Sequence, residues 1–200
     1  MQKHNLNTTR TVIHIKNMIT NSCVKLVKIE LERTGFIEVL NIELGEAEIQ
    51  FDAQVFSLDN VNTVLKKSGF EIINHSDKIL VEKIKSTVIQ FIFYGSNSNS
   101  LMRNSDYLSE KLGESYQHLS KVFSEQTGTT LEKYIINIKA ERIKELISYD
   151  ELTLSEIAYQ MGYSSVQYLS NQFKSVTGVT VSEYKAAGKH YRKPITDVLN

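Results

Sequence analysis

The chain has 200 residues, 41% hydrophobic and 23% charged, with 23 basic residues against 23 acidic ones, so any nucleic-acid binding must rest on where charges sit. A single cysteine, Cys23, excludes an intramolecular disulfide and fits a reducing compartment. The polar start MQKHNLNTTR lacks the apolar core of a signal peptide. No apolar run approaches the ~20 residues of a membrane helix, so a soluble, cytoplasmic protein is expected.

Residues 1–10 read as a flexible tail. TVIHIKNM (11–18) alternates, with Ile13 and Ile15 between His14 and Lys16, and predicts a strand. CVKLVKIELERTGF then places Val24, Leu26, Val27, Ile29 and Leu31 at mostly helical spacing and ends at Gly35. Val39, Leu40, Ile42 and Leu44 indicate a second strand, turning tightly at Gly45 into GEAEIQFD (45–52). There Ala47, Ile49 and Phe51 face one way and Glu46, Glu48 and Gln50 the other. SLDNVNTVLKKSGF (57–70) predicts a helix capped by Ser57 or Asp59 and stopped at Gly69, and FEIIN closes the unit as a short strand. The order β-α-β-β-α-β is that of an α+β, ferredoxin-like domain over residues 11–75.

This segment resembles the heavy-metal-associated (HMA) domain of copper chaperones and metal-pumping ATPases. In that family the loop after the first strand reads G-M-x-C-x-x-C, and two thiolates grip a soft metal. Here it reads NMITNSC: Met18 matches the methionine, Cys23 the second cysteine, and Thr20 stands at the first. Soft-metal affinity comes from paired sulfurs, so the expectation is a domain that has lost its metal, with no cofactor implied. Cys23 is the one candidate ligand for weak soft-metal binding, with His14 and Met18 as its conceivable helpers.

Residues 76–94, SDKILVEKIKSTVIQFIFY, carry Leu80, Ile84, Val88, Phe91 and Ile92 at helical spacing. Their β-branched and aromatic content leans toward strand, but the spacing favours a helix that packs on a domain or couples partners. GSNSNS (95–100) has no apolar residue and reads as a linker, so 76–98 is a connecting helix and linker. Beyond it the sequence turns helical and repeats. LSKVFSEQTGTTLEKY (119–134) returns fifty residues later as LSNQFKSVTGVTVSEY (169–184), and LSEKLGES (108–115) returns after forty-nine as IAYQMGYS (157–164). Each copy reads as helix, glycine turn, helix, with Gly113 and Gly162 in left-handed turns. Ser115 and Ser164 are expected to cap the second helices, Ser164 forming a capping box with Gln167. TLEKYIINIKAERIKELIS (130–148) has neither Gly nor Pro and predicts a long helix joining the two units. The C-terminal domain is therefore expected to be all-α.

Over residues 99–187 this pattern resembles the DNA-binding domain of the AraC/XylS transcriptional regulators, most closely in LTLSEIAYQMGYSSVQYLSNQFKSVTG. Val181 stands where a proline is usual, and Asn171 where Arg is common. The resemblance implies two recognition helices entering successive major grooves of double-stranded DNA. Opposite Leu119 and Phe123 the first presents Tyr116, Gln117, Ser120 and Lys121. The second presents Ser165, Val166, Gln167, Ser170 and Asn171, with Lys174 a turn later. Glu110, Glu114, Asp150 and Glu151 are expected to lie away from DNA, and Lys121, Lys174, Lys185, Lys189, Arg192 and Lys193 near it. Residues 188–200 read as a tail. No phosphate loop, nucleophile elbow or helical metal pair points to an enzyme. The N-terminal domain is then a sensor or an interaction module, docking a protein partner or a second copy. Metal trafficking is the alternative function, and no membrane partner is implied.

Overall fold

The computed structural model describes residues 8–95 and 103–187. Residues 1–7, the linker after Gly95, and the tail with Lys189, Arg192 and Lys193 lie outside the described residues. The chain divides into two compact units between Ser86 and Thr87.

In the first unit β1 (Thr8–Lys16), β2 (Ile37–Glu43), β3 (Glu46–Asp52) and β4 (Glu71–Ile73) form one sheet in the order β2-β3-β1-β4. Every neighbouring pair is antiparallel. Helices α1 (Asn21–Glu32) and α2 (Leu58–Lys66) connect the strands, so the element order read from the sequence is present. Alternation on β3 buries Ala47, Ile49 and Phe51, which join Ile13, Ile15, Val27, Leu31, Val61 and Leu65 in one core. Ser57, not Asp59, caps α2, and Asn60 completes a reciprocal capping box.

Two features depart from the sequence reading. Residues 8–10 belong to β1 and not to a tail: they pair with Asp52, Phe51 and Gln50, and Arg10 meets Glu48 at 2.7 Å. The adjacent Val39 and Leu40 break strand alternation because the β2–β3 register shifts between Val39 and Asn41, a bulge that leaves Leu40 exposed.

The helix expected over residues 76–94 is present as α3 (Ser76–Tyr94). The division between the units falls inside it and not at the Gly/Ser/Asn linker. The reason lies in its side chains. Glu82 accepts a 2.9 Å hydrogen bond from the Asn17 backbone N–H and pairs with Lys85 at 3.1 Å, tying this half to the loop after β1. Further along, Phe91 stacks on Tyr107 at 4.2 Å, and Ile92 joins a core of the second unit.

The second unit comprises, among the described residues, α4 (Asn104–Leu112), α5 (Tyr116–Thr127), α6 (Leu131–Tyr149), α7 (Leu154–Gln160), α8 (Val166–Thr177) and α9 (Val181–Ala187). The repeat is structural as well as sequential. Leu119 and Leu169 are fully buried, Phe123 lies 5.1 Å from Tyr134, and Phe173 lies 5.7 Å from Tyr184. Thr127 donates to the carbonyls of Phe123 and Thr129, and Thr177 to those of Phe173 and Val179. The α4–α5 and α7–α8 turns place Gly113 at φ 69° and Gly162 at φ 70°, where a side chain is strained. A Cβ on Gly113 would meet nothing within 4 Å, so only the torsion opposes a substitution. Gly113→Ala should therefore destabilise the protein by about 1 kcal/mol and Gly113→Asn by less, read from urea unfolding midpoints.

Candidate nucleic-acid interface

The second helix of each pair takes its register from a serine cap. Ser115 accepts a hydrogen bond from the His118 N–H at 3.2 Å, and Ser165 accepts one from the Tyr168 N–H at 3.1 Å. The cap of α8 is thus Ser165, not Ser164, and the expected Ser164–Gln167 box is replaced by a Gln167 amide that donates to Asn171 at 3.0 Å. With Ser165 as cap, the fifty-residue repeat begins at the caps themselves. The extra residue of the second copy falls in the turn, where Glu114 is answered by Tyr163 and Ser164.

At 100° per residue, burying Leu119 and Phe123 turns Gln117 and Lys121 outward, and burying Leu169 and Phe173 does the same for Gln167, Asn171 and Lys174. All five are exposed. Ser120 and Ser170 are half-buried at matching places beside this face, and so are Tyr116 and Val166 at the first helical position. Val166 packs against the core of its unit. Tyr116 donates its hydroxyl to Glu132 at 2.9 Å, and burial, reinforced by that carboxylate, pushes its pKa well up. Ser165 uses one lone pair of its oxygen as the helix cap and keeps its proton and a second lone pair to offer. His118 and Tyr168, absent from the expected set, are exposed at matching positions of α5 and α8. The fifty-residue register that pairs them was the signal that could have found them.

The charges are less cleanly separated than expected. Glu125 lies on α5 itself, 4.0 Å from Lys121, and Lys185 is bonded to Asp150. The exposed Lys174 of α8 has Glu183 nearby, whose carboxyl is held below its ordinary pKa chiefly by hydrogen bonds from Thr180. Between the two pairs, α6 is lined with intrahelical ion pairs, Glu141 with Lys144 and Arg142 with Glu145.

The candidate metal ligands do not converge. Thr20 caps α1, accepting from the Cys23 N–H, and the Cys23 thiol lies 3.3 Å from the Thr20 hydroxyl. Met18 is 2% exposed and sits in the core, while His14 faces Glu46 at 3.3 Å. One thiol with its methionine turned inward does not fit a soft-metal site. Among the described residues no group of three His, Cys, Asp or Glu side chains is placed to hold an ion, and no helix is long and apolar enough to cross a membrane.

Residues 108–187 match the family model of a helix-turn-helix domain. The chain is 27% identical over 118 residues to the Msm operon regulatory protein of Streptococcus mutans, an alignment covering 59% of this chain and 40% of that one. It is 32% identical over 98 residues to the xylose operon regulatory protein of Escherichia coli, covering 49% of this chain and 25% of the other. The chain thus spans well under half the length of these relatives. Among solved structures it is similar to the C-terminal domain of AraT, a response regulator from Geobacillus stearothermophilus. That match has a TM-score of 0.47 and 24% identity, over 57% of this chain and 91% of that one.

The two serines at the start of α8 make opposite predictions. Ser165→Ala removes the cap and should cost about 1 kcal/mol in chemical denaturation, whereas Ser164→Ala should leave the midpoint nearly unchanged.

Proposed function

We propose that the chain is a sequence-specific DNA-binding transcription regulator of the AraC type, with α5 and α8 as its two recognition helices. The observation that carries this reading is the repetition: two helix-turn-helix pairs with matching caps and core pairs present exposed amide side chains at the same position, Gln117 and Gln167. Gln and Asn suit the adenine edge in the major groove, and Lys meets guanine or phosphate. Gln117, Lys121, Gln167, Asn171 and Lys174 are the first candidates for contact, with His118 and Tyr168 beside them. Ser120, Ser165 and Ser170 supply hydroxyls at the margin. Two relatives named as operon regulators support the same function.

Helix α6 has 19 residues and so spans roughly 28 Å at ~1.5 Å per residue. Successive major grooves on one DNA face lie ~34 Å apart. Two short helices hung from such a rod can reach both grooves from one chain. Since Lys121 answers to Asn171 and Tyr116 to Val166, the site is asymmetric.

For the N-terminal unit we infer a ferredoxin-like domain of the HMA type that no longer holds metal. Its β-α-β-β-α-β order and β2-β3-β1-β4 sheet support this, and the placement of Met18 and Cys23 supports the loss of the metal. It serves as a sensor or as a docking module for a protein or a second copy, in a cytoplasmic protein.

Binding-site selection with the intact chain should yield one asymmetric site with two protected segments a turn apart. Inserting ~5 bp between them should abolish tight binding by rotating one groove away; a tolerated insertion, or a palindrome as the sole product, means the units do not act together. Gln167→Ala should cost ~1–3 kcal/mol on the selected site and little on random duplex. Lys174→Ala should weaken both and flatten the salt dependence, measured by fluorescence anisotropy across a salt series.

A further inference from the structure

The two helix-turn-helix pairs repeat their apolar contacts and threonine caps, but not the polar contacts that hold each recognition helix. In the first pair, Tyr116 opens α5 and donates to Glu132 in the first turn of α6 at 2.9 Å. Fifty residues on, the same places hold Val166 and Ser182, which cannot make this bond. In the second pair, the lengthened turn supplies Tyr163, whose hydroxyl donates to Gln172 of α8 at 2.6 Å. Lys139 of α6 lies 5.3 Å from the centre of the Tyr163 ring and donates to the Met161 carbonyl at 2.9 Å. The place of Gln172 in the first pair is taken by Val122, which is buried. Each recognition helix is thus fastened to the same rod by a different device.

Resting on the DNA-binding reading above, we propose that Tyr116 and Tyr163 are positioning residues. Each clips one recognition helix to α6 and sets the roll at which that helix meets the bases. Apolar packing is non-directional and leaves a helix free to rotate slightly about its own axis. A hydrogen bond is directional and removes that freedom. Tyr116 and Glu132 do this for α5 at its N-terminal end, the end that leads into the groove. Tyr163 does it for α8, with its ring held against Lys139 and its hydroxyl on Gln172. Burial pushes the Tyr163 hydroxyl up to about 12 and raises Tyr116 as well, so both phenols remain donors at neutral pH. Tyr116 therefore leaves the set of base-reading residues, and Glu132 enters the interface as a carboxylate that serves the helix and not the DNA.

The test uses the intact chain, its selected duplex, versions of that duplex with either half scrambled, and a random duplex. Tyr116→Phe and Tyr163→Phe should each weaken binding to the selected site by about tenfold while leaving the random duplex and the thermal midpoint unchanged. The loss should vanish when one half of the site is scrambled, and the two variants should respond to opposite halves. Glu132→Gln retains an acceptor for the phenol and should bind at least as tightly as wild type. Glu132→Ala should match Tyr116→Phe, and the double variant should be no weaker than either. If Glu132→Ala binds like wild type while Tyr116→Phe does not, Tyr116 touches DNA directly and its positioning role is overturned. A Tyr163→Phe loss spread over both halves, together with a lowered midpoint, overturns the role of Tyr163. A wild-type chain that selects no sequence overturns the DNA-binding reading and this proposal with it. A wild type that selects a site which all the variants bind equally well overturns this proposal alone.

Discussion

The second unit depends on one contact made twice: a buried phenylalanine on the second helix of each pair, α5 or α8, against a buried tyrosine on the helix that follows. Phe123 meets Tyr134 with its ring tilted, and Phe173 meets Tyr184 nearly edge-on. Tilted and edge-on geometries suit the quadrupoles of the two rings and add to the stabilisation from area alone. Each pair lies one turn from a fully buried leucine, Leu119 or Leu169, so a single apolar stripe fixes which face of α5 and of α8 remains outside. The outward amides follow from that choice. The positions of Gln117 and Gln167 are dictated by the leucine two residues on, and Gln167 is bonded besides to Asn171 on the same face.

That dependence also explains what the sequence made legible. Leu119 with Phe123 and Leu169 with Phe173 are local spacings, and the glycines at 113 and 162 are local torsions. Both can be read from a string of letters. The β3 alternation and the glycine turn before it are of the same kind. What escaped was either ambiguous by one residue or distant in the chain. Ser164 and Ser165 are adjacent and chemically identical, and only the hydrogen bond to Tyr168 decides between them. Thr8, Thr9 and Arg10 look like a polar tail until β3 is placed beside them. The tie between Glu82 and the Asn17 amide joins positions 65 residues apart, so no spacing rule could assign that half of α3 to the first unit. Lys121 with Glu125 is the exception. It is a simple i, i+4 pair, legible in principle.

The electrostatics of the second unit are frugal. Lys121, Lys144, Lys185 and Arg142 are paired with carboxylates, and Lys139 is spent on a carbonyl and a ring. Among the described residues of this unit, Lys174 and Lys133 stand outside these pairs, so its surface offers an anion only a modest positive charge.

The margins of the N-terminal sheet limit how that unit can meet another protein. One margin, β2, is bent by the bulge at Leu40, and the other, β4, is three residues long. An extended peptide looking for a free row of amides and carbonyls finds no straight run on either side. Among the described residues, the shape of both margins therefore works against association by strand annexation. A protein that met this unit would have to meet its side chains.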